Sequence, residues 1–487
     1  MVTTTTTTIT TIPASNNAAA SSLTYLSPQV EELKKKVEKF VEEEVIPAEK
    51  EYVEHMKMIT DKHGVDARFS IDAIPPCLKR LQQRAKELQL WNMFIPPRLL
   101  NDVPSKEASH LKPKLPLSYR EYGIICEILG KSVELAPQAC NCSAPDTGNM
   151  EVLLEFGTPQ QKRDYLLPLL NGNIRSTFLM TEPNVASSDP TNLETKLMKK
   201  IVKKPGGGEI VEYVLSGRKW WSTGAMDPRC RVALVVAKMD YSHPSCSAHN
   251  NNTENSNNKH GAHTIVIVPL PHPNIKMIRP LTVFGYDDAP FGHAEVLLEN
   301  VKLTTQNLIL GEGSGFQISQ ARLGPGRIHH CMRSIGMAQR CYELMLSRVF
   351  ERQTFGKYLV EHDTIQEQIS NCISNITCAR LLTLDCASQM DMIGPKLARQ
   401  SIACIKVMVP QLSLKVIDTC LQIFGGGGFS EDYVIAKYFA ALRTLRVADG
   451  PDAVHKRTIA RIELKKAYKQ KRQQEKEESS NSIRSRL

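Results

Sequence analysis

Several common signatures are missing from this 487-residue sequence, and each absence excludes something. No G-x-G-x-x-G follows a strand-like run, so a dinucleotide would need a route other than a Rossmann βαβ unit. There is no G-x-S-x-G elbow, and no His, Cys and carboxylate residues share metal-ligand spacing. No apolar run is long enough to span a bilayer. The N-terminus lacks the basic start and apolar core of a secretory signal. Its first 22 residues, rich in Thr, Ala and Ser, contain no Arg, unlike a mitochondrial transit peptide. Residues 1–26 are therefore expected as a disordered tail. Basic stretches interleaved with aromatics are absent, which removes RNA and single strands as partners. Cysteine is present at 13 copies but lacks CxxC pairing, with Cys140 and Cys142 the only close pair. An odd, scattered set points to reduced, mostly structural thiols.

The composition that is present is ordinary for a globular protein: 41% hydrophobic and 23% charged. The length suggests two or three domains. The net charge is +10, but residues 465–487 hold eight Lys/Arg against three Glu, which is half of the excess. A solvated, flexible basic tail over 467–487 explains this better than a nucleic-acid surface. The chain ends Ser485-Arg486-Leu487. Small, basic, Leu at the extreme C-terminus is similar to a peroxisomal address, and a peroxisome is expected ahead of a mitochondrion.

Ser27-Pro28 reads as a helix start, with Ser as cap and Pro in the first turn. Val30, Leu33, Val37, Phe40, Val41 and Val45 follow at helical spacing, and Pro47 should end or bend that helix. A helical style continues over 27–175, including Leu78–Leu90 and Tyr122–Leu135. From Ser176 the texture changes. Ile210–Leu215, Val232–Ala237, Thr264–Val268 and Glu295–Leu298 are short apolar runs that read as an antiparallel sheet within 176–304. Within it, the Asn-rich stretch 242–263 is expected as a long inserted loop. From Gly315 the pattern is helical again, with Ile328–Phe350, Thr364–Met392 and Leu397–Phe424 forming a bundle within 305–466.

Certain phrases stand out against this background. They are Met180-Thr181-Glu182-Pro183-Asn184-Val185-Ala186-Ser187-Ser188-Asp189, Arg218-Lys219-Trp220-Trp221-Ser222-Thr223-Gly224 and Arg352-Gln353-Thr354-Phe355-Gly356-Lys357. Gln422 through Phe429, with four consecutive glycines, and Leu445-Arg446-Val447-Ala448-Asp449-Gly450-Pro451 complete the set. Alone, each has a plain structural explanation: a capped loop, two core aromatics, a helix stop, a glycine linker, a type I turn. Their order within a helix–sheet–helix pattern carries more weight than any one of them.

That order resembles the acyl-CoA dehydrogenase family, from about Ser27 to about Leu464. It is most similar to the branch of family members 10 and 11. The narrower resemblance rests on Ala144-Pro145-Asp146-Thr147-Gly148-Asn149-Met150-Glu151, on Lys219-Trp220-Trp221-Ser222, on Arg322-Leu323-Gly324-Pro325-Gly326-Arg327-Ile328-His329-His330 and on Ala448-Asp449-Gly450-Pro451-Asp452. The kinase-like domain fused to some animal members has no room here. The resemblance implies an α+β fold: an N-terminal α-helical domain, a central antiparallel β domain and a C-terminal four-helix bundle. It implies FAD, lined by Phe178, Met180, Thr181, Ser187, Ser188, Trp221, Ser222 and Thr223. Arg352, Thr354 and Phe355, with Gln422, Gly425 and Gly426, match segments that reach the FAD of a neighbouring subunit. A homodimer or homotetramer with shared sites is therefore expected. Arg suits a pyrophosphate because its planar fork donates twice, and Gly lets backbone approach phosphate.

The implied reaction removes a proton beside the thioester carbonyl of an acyl-CoA and passes hydride to flavin N5, giving a trans-2-enoyl-CoA in β-oxidation. The base must be a carboxylate whose basicity desolvation raises. Most family members place Glu at this point; here the residue is Asp449. The other base position known in the family matches Gly326, which cannot serve. Ser188, Arg327 and Gly450 are carried over as substrate contacts, and His329 and His330 stay unassigned. Glu182, Asp189, Glu431 and Asp432 are given no catalytic role. Family analogy suggests long acyl chains. The acceptor would be an electron-transfer flavoprotein. The alternatives are a peroxisomal acyl-CoA oxidase using oxygen, a nitroalkane-oxidase-like flavoenzyme with an Asp base, and a non-catalytic acyl-CoA-binding protein. Typical oxidases carry a further helical domain beyond this chain's end.

Overall fold

The computed structural model describes residues 25–104, 108–205, 207–247 and 259–484. The expected N-terminal tail up to residue 24, the centre of the 242–263 insertion and the Ser485–Leu487 tripeptide lie outside them.

Helix α1, Pro28–Phe40, begins as the sequence suggests: the Ser27 Oγ accepts the Val30 N–H at 3.3 Å. Pro47 neither ends nor breaks the helix. A single π-turn over Val41–Val45 precedes α2, Ile46–His63, where Pro47 falls in the first turn. The wider turn reorganises the hydrogen-bond ladder where proline has no N–H to donate, so the apolar face continues. Further helices α3 (Pro76–Glu87), α4 (Tyr119–Gly130) and α5 (Asp146–Phe156) complete the first helical layer.

Seven strands follow: β1 Arg175–Leu179, β2 Lys196–Lys204, β3 Gly208–Thr223, β4 Cys230–Asp240, β5 His263–Pro269, β6 Ile275–Leu281 and β7 His293–Thr304. Their order is β1-β4-β2-β3-β7-β6, with β5 also on β4. The sheet is mixed, not antiparallel. β4 runs parallel to β1 and to the start of β2, and the remaining pairings are antiparallel. Apolar alternation reports which face a residue takes but not strand direction. The long 180–195 connection lets the chain re-enter beside β4 in the same sense as β1, which a tight hairpin forbids.

Beyond the sheet, α6 (Gly315–Glu351), α7 (Asp363–Leu397) and α8 (Arg399–Phe424) pack on one another. A two-residue hairpin, β8 Gln353–Thr354 with β9 Lys357–Tyr358, separates α6 from α7. Helix α9 (Ile435–Thr444) and the start of α10 (Asp452–Arg484) lie on α8. The basic segment expected as a flexible tail is the second half of α10. Lys, Arg, Gln and Glu are good helix formers, and elongating an existing helix avoids the cost of nucleation.

Helix α8 also corrects the reading that no segment could span a bilayer: its 26 residues are long and apolar enough. Half of that apolar stretch is buried here, with Ile402, Ile405, Val409, Val416 and Ile417 in the bundle core. All 13 cysteines are free thiols.

One apolar core runs through both helical regions, from Val37 and Ile125 to Ile335 and Ile417; a second lies in the sheet around Leu215, Val235 and Val296. Helices α4 and α6 touch backbone to backbone. A Cβ on Gly336 would lie 2.0 Å from the Glu127 carbonyl oxygen, and one on Gly130 would lie 2.5 Å from that of Arg333. This glycine crossing fixes α6 against the first helical layer just beyond Arg327–His330.

Candidate active site

The first group of candidate residues gathers where β1 ends and β3 ends. Lys219, fully buried on β3, donates to the carbonyls of Met180 at 2.9 Å and Val236 at 2.8 Å, and to Glu182 Oε1 at 2.8 Å. Glu182 in turn accepts the N–H groups of Glu194 and Thr195. Burial pushes the Lys219 ammonium down to about 8 while Glu182 pulls the other way. Burial alone would raise Glu182, but Lys219 and the hydrogen bonds it accepts outweigh this and hold it low. The pair stays ionised near neutral pH and ties the 180–195 segment to the sheet. The Trp220 N–H to Thr181 carbonyl bond, 3.0 Å, adds a second tie.

At this point β3 bulges. Trp221 takes φ +51°, and the register with β7 shifts between Lys219 and Ser222. The bulge leaves Trp221 40% exposed beside His293, with ring centroids 5.7 Å apart. Thr223 Oγ1 is 2.9 Å from His293 Nδ1, and His293 Nε2 is 2.9 Å from Asp288 Oδ2. A carboxylate only accepts, so in the neutral ring Nε2 donates to it and Nδ1 accepts the Thr223 hydroxyl hydrogen. Ser187 closes its own loop, its Oγ accepting the Glu182 N–H at 3.0 Å, and Ser188 is exposed. The Ser222 side chain is fully buried, and its hydroxyl has no partner among the described residues. Strand alternation dictates this once Trp221 points outward.

The second group surrounds Asp449. This residue and Gly450 have φ of +56° and +102°, so the A-D-G-P segment is a left-handed turn and not type I. Side chains from three helices clamp it. Arg327 Nε of α6 and His455 Nε2 of α10 each lie 3.2 Å from the Asp449 carbonyl oxygen. Lys406 of α8, buried, donates to the carbonyls of Leu445 and Ala448. The carboxylate faces His330, with Nε2 to Oδ2 at 3.4 Å. Two opposing effects act on the Asp449 carboxyl. Burial acts upward, but His330, Lys406, Arg322 and Arg327 outweigh it and hold Asp449 below the usual Asp range. Burial pushes His330 down to about 4. Above about 4 the carboxylate is therefore ionised and the imidazole neutral.

Arg322 joins the two groups. Its guanidinium stacks 4.0 Å from the centre of the Phe178 ring, and Asp449 and Glu151 both act on its charge. A small cleft lined by Met180, Leu193, Val236, Phe316, Ser319 and Gln320 lies between the 180–193 segment and the start of α6. A Cβ at Gly326 would meet nothing within 4 Å, so the wall beside Arg327 is open.

The third group stands apart. Arg352, Thr354 and Phe355 sit on the β8–β9 hairpin, with Phe355 95% exposed at its tip. Gln422, Gly425 and Gly426 are exposed around the end of α8, and a Cβ at either glycine would meet open space. Among the described residues, no hydrogen bond joins these side chains to the β1–β3 group. Sequence reading missed Lys406, Arg322, His455 and Lys219 as parts of the site. Lys406 carried a signal: one ammonium in the run Ile402–Val409 on an otherwise apolar helix, where a lone charge must be paired or solvated.

Comparison with known proteins matches two family models to this chain: acyl-CoA dehydrogenase, middle domain, over residues 177–301, and acyl-CoA dehydrogenase, C-terminal domain, over 313–464. The chain is 45% identical over 445 residues to acyl-CoA dehydrogenase family member 11 of Gallus gallus, covering 91% of this chain and 51% of that protein. It spans about half the length of several such relatives. It is 40% identical to the probable acyl-CoA dehydrogenase FadE2 of Mycobacterium tuberculosis, covering 87% of this chain and 93% of that one. The solved structure of a putative acyl-CoA dehydrogenase from Mycobacterium abscessus superposes with TM-score 0.78 at 38% identity, over 91% of this chain and all of that one. The chain belongs to the acyl-CoA dehydrogenase family.

Proposed function

We propose that this chain catalyses FAD-dependent α,β-dehydrogenation of an acyl-CoA, with Asp449 as the base. The observation that carries this reading is Arg322, which stacks on Phe178 of the β1–β3 wall and acts on the Asp449 carboxylate. One side chain thus connects the two halves of a single site.

The residues fit a flavin. An outward-facing indole at Trp221, the Phe178 ring and the hydroxyls of Thr181 and Thr223 offer a planar, partly polar wall. The exposed Arg352, Phe355, Gln422, Gly425 and Gly426 offer an Arg fork, an aromatic face and open backbone suited to a pyrophosphate and an adenine. Their exposure on the hairpin and at the end of α8 supports their serving a partner's cofactor in a dimer or tetramer. Bound FAD supplies the hydride acceptor. Asp449 takes the α-proton: a C–H bond breaks and a carboxylic O–H forms. The cations around it keep the carboxylate ionised before substrate arrives. An acyl chain that displaces water desolvates the carboxylate further and raises its basicity. Arg327 and Gly450 border the position of the thioester.

The same reading extends to long-chain acyl-CoA in β-oxidation, to an electron-transfer flavoprotein as acceptor and to a peroxisomal address in Ser485–Leu487. Anaerobic titration with acyl-CoAs of increasing length tests the substrate: flavin bleaching that peaks with long chains is expected, and a holoenzyme reduced by none refutes the function. Oxygen uptake during turnover would assign an oxidase instead. A fluorescent fusion whose location ignores deletion of the tripeptide would refute the address.

A further inference from the structure

We propose that His330 is the positioning residue of the base: its Nε2–H holds Oδ2 of Asp449, leaving Oδ1 to take the substrate proton. The proposal rests on the reading of Asp449 as base and adds a division of labour between its two oxygens.

The geometry starts on α6. Arg327 and His330 are three residues apart and therefore on one face of the helix. Arg327 Nε meets the Asp449 carbonyl at 3.2 Å, and His330 Nε2 meets the carboxylate at 3.4 Å. One turn of helix thus grips a single residue by backbone and side chain. The neighbouring His329 does something different. It is 4% exposed, packs edge-on to Tyr122 at 4.8 Å between ring centres, and belongs to the α4–α6 core. The His330 side chain keeps 28% exposure beside an Asp449 side chain at 23%, so both border the open part of the site.

The surroundings decide the protonation state of the pair. Arg322, Arg327, Arg333 and Cys331 face it from α6, Lys406 from α8 and His455 from α10. Burial and the surrounding cations drive the proton off an imidazolium here, and together they outweigh the pull of Asp449. A neutral ring has one N–H, and a carboxylate can only accept. The hydrogen therefore belongs on Nε2, and the contact is a neutral donor on an anion instead of an ion pair. A donor on one oxygen fixes the carboxylate plane. The Asp side chain is short, and the fixed plane limits its approach to a single direction.

The test uses holoenzyme with His330→Phe, His330→Gln and Asp449→Asn. The acid midpoint of Asp449 is read from its C=O infrared band, assigned by its loss in Asp449→Asn. Removing a donor to the charged form should raise that midpoint in His330→Phe, with proton affinity up roughly tenfold, and Gln should restore it. At saturating acyl-CoA, flavin reduction should slow by about tenfold in the Phe variant. Affinity for acyl-CoA should stay near wild type, and Gln should recover most of the rate. An unmoved midpoint in the Phe variant, or Gln no better than Phe, overturns the proposal. If the Phe variant does not fold, 15N shifts of the wild-type His330 ring, assigned with the Gln variant, decide: Nε2–H supports the proposal and Nδ1–H overturns it. Failure of every acyl-CoA to reduce wild-type flavin would sink the dehydrogenase reading, while the infrared and 15N readouts would still judge the His330–Asp449 contact.

Discussion

Gly450→Ala should damage the base without touching it. Gly450 sits at φ +102°, where a side chain is strained, and a Cβ there would meet His455 Nε2 at 2.8 Å. The same His455 nitrogen lies 3.2 Å from the Asp449 carbonyl oxygen. The ring must swing away, so the substitution adds backbone strain and removes one of the clamps on the turn. Strain at such a position costs about 1–3 kcal/mol, and a lost hydrogen bond about 1 kcal/mol. A net loss of about 2–4 kcal/mol is expected in urea unfolding of the holoenzyme. The catalytic effect should be larger in proportion. A shift of the carboxylate by about 1 Å costs on the order of a hundredfold in rate. Anaerobic flavin reduction at saturating acyl-CoA measures this directly. His455→Ala/Gly450→Ala should recover the part due to the clash but not the part due to φ. Stability within about 0.5 kcal/mol of wild type together with an unchanged rate would refute the clamp.

Three further outcomes follow from buried charges. His330 and His455 titrate near 4, against about 6.5 when unfolded, so the unfolded chain binds more protons between these values. Stability should be complete above pH 6.5 and fall towards pH 4, by at most roughly 3 kcal/mol per histidine; denaturant unfolding of His455→Asn against wild type should show a shallower decline. Burial raises Glu151 to about 8, against the pull of Arg98 and Arg322, and its Oε1 has no partner. Its folded pKa lies above its unfolded one, so wild-type stability should fall as pH rises from about 4.5 to 8. Glu151→Gln should therefore raise the melting temperature more at pH 8 than at pH 5; an equal gain at both would contradict it. Asp146 pairs with Arg175 at 3.3 Å, both buried, and accepts two hydrogen bonds from Ser176. Asp146→Ala should cost about 3–5 kcal/mol by stranding a guanidinium, read by chemical unfolding.

The fold was largely legible because its elements are long and periodic. Ser27, Gly315 and the apolar runs of α6, α7 and α8 announce themselves locally. The edges of that legibility are physical. Lys196–Lys204 forms β2 although five of its nine residues are Lys: its backbone pairs with β3 along its whole length, Leu197 sits in the sheet core and Lys199 is paired with Glu312 at 3.0 Å. The parallel pairings of β4 depend on where distant segments meet, which no local pattern encodes. Pro47 was expected to end or bend the helix; instead the chain stays helical through a π-turn over Val41–Val45, and Pro47 falls in the first turn of α2. Trp221 and Thr223 could be placed from sequence because the residues around them form an ordered phrase. The inward turn of Ser222 depends on a bulge that is set by pairing with β7. Around Asp449 the sequence showed a carboxylate and a glycine. It did not show that Lys406 and His455, far apart in sequence, converge on the same turn.

The central claim is that Asp449 removes the α-proton. Asp449→Asn keeps the shape of the left-handed turn, since Asn tolerates positive φ, and removes only the base. Anaerobic mixing of that holoenzyme with a long-chain acyl-CoA measures the claim most directly. The account predicts intact flavin absorbance, binding of acyl-CoA near wild-type affinity and loss of bleaching by at least about a thousandfold. Bleaching at the wild-type rate would place the base elsewhere.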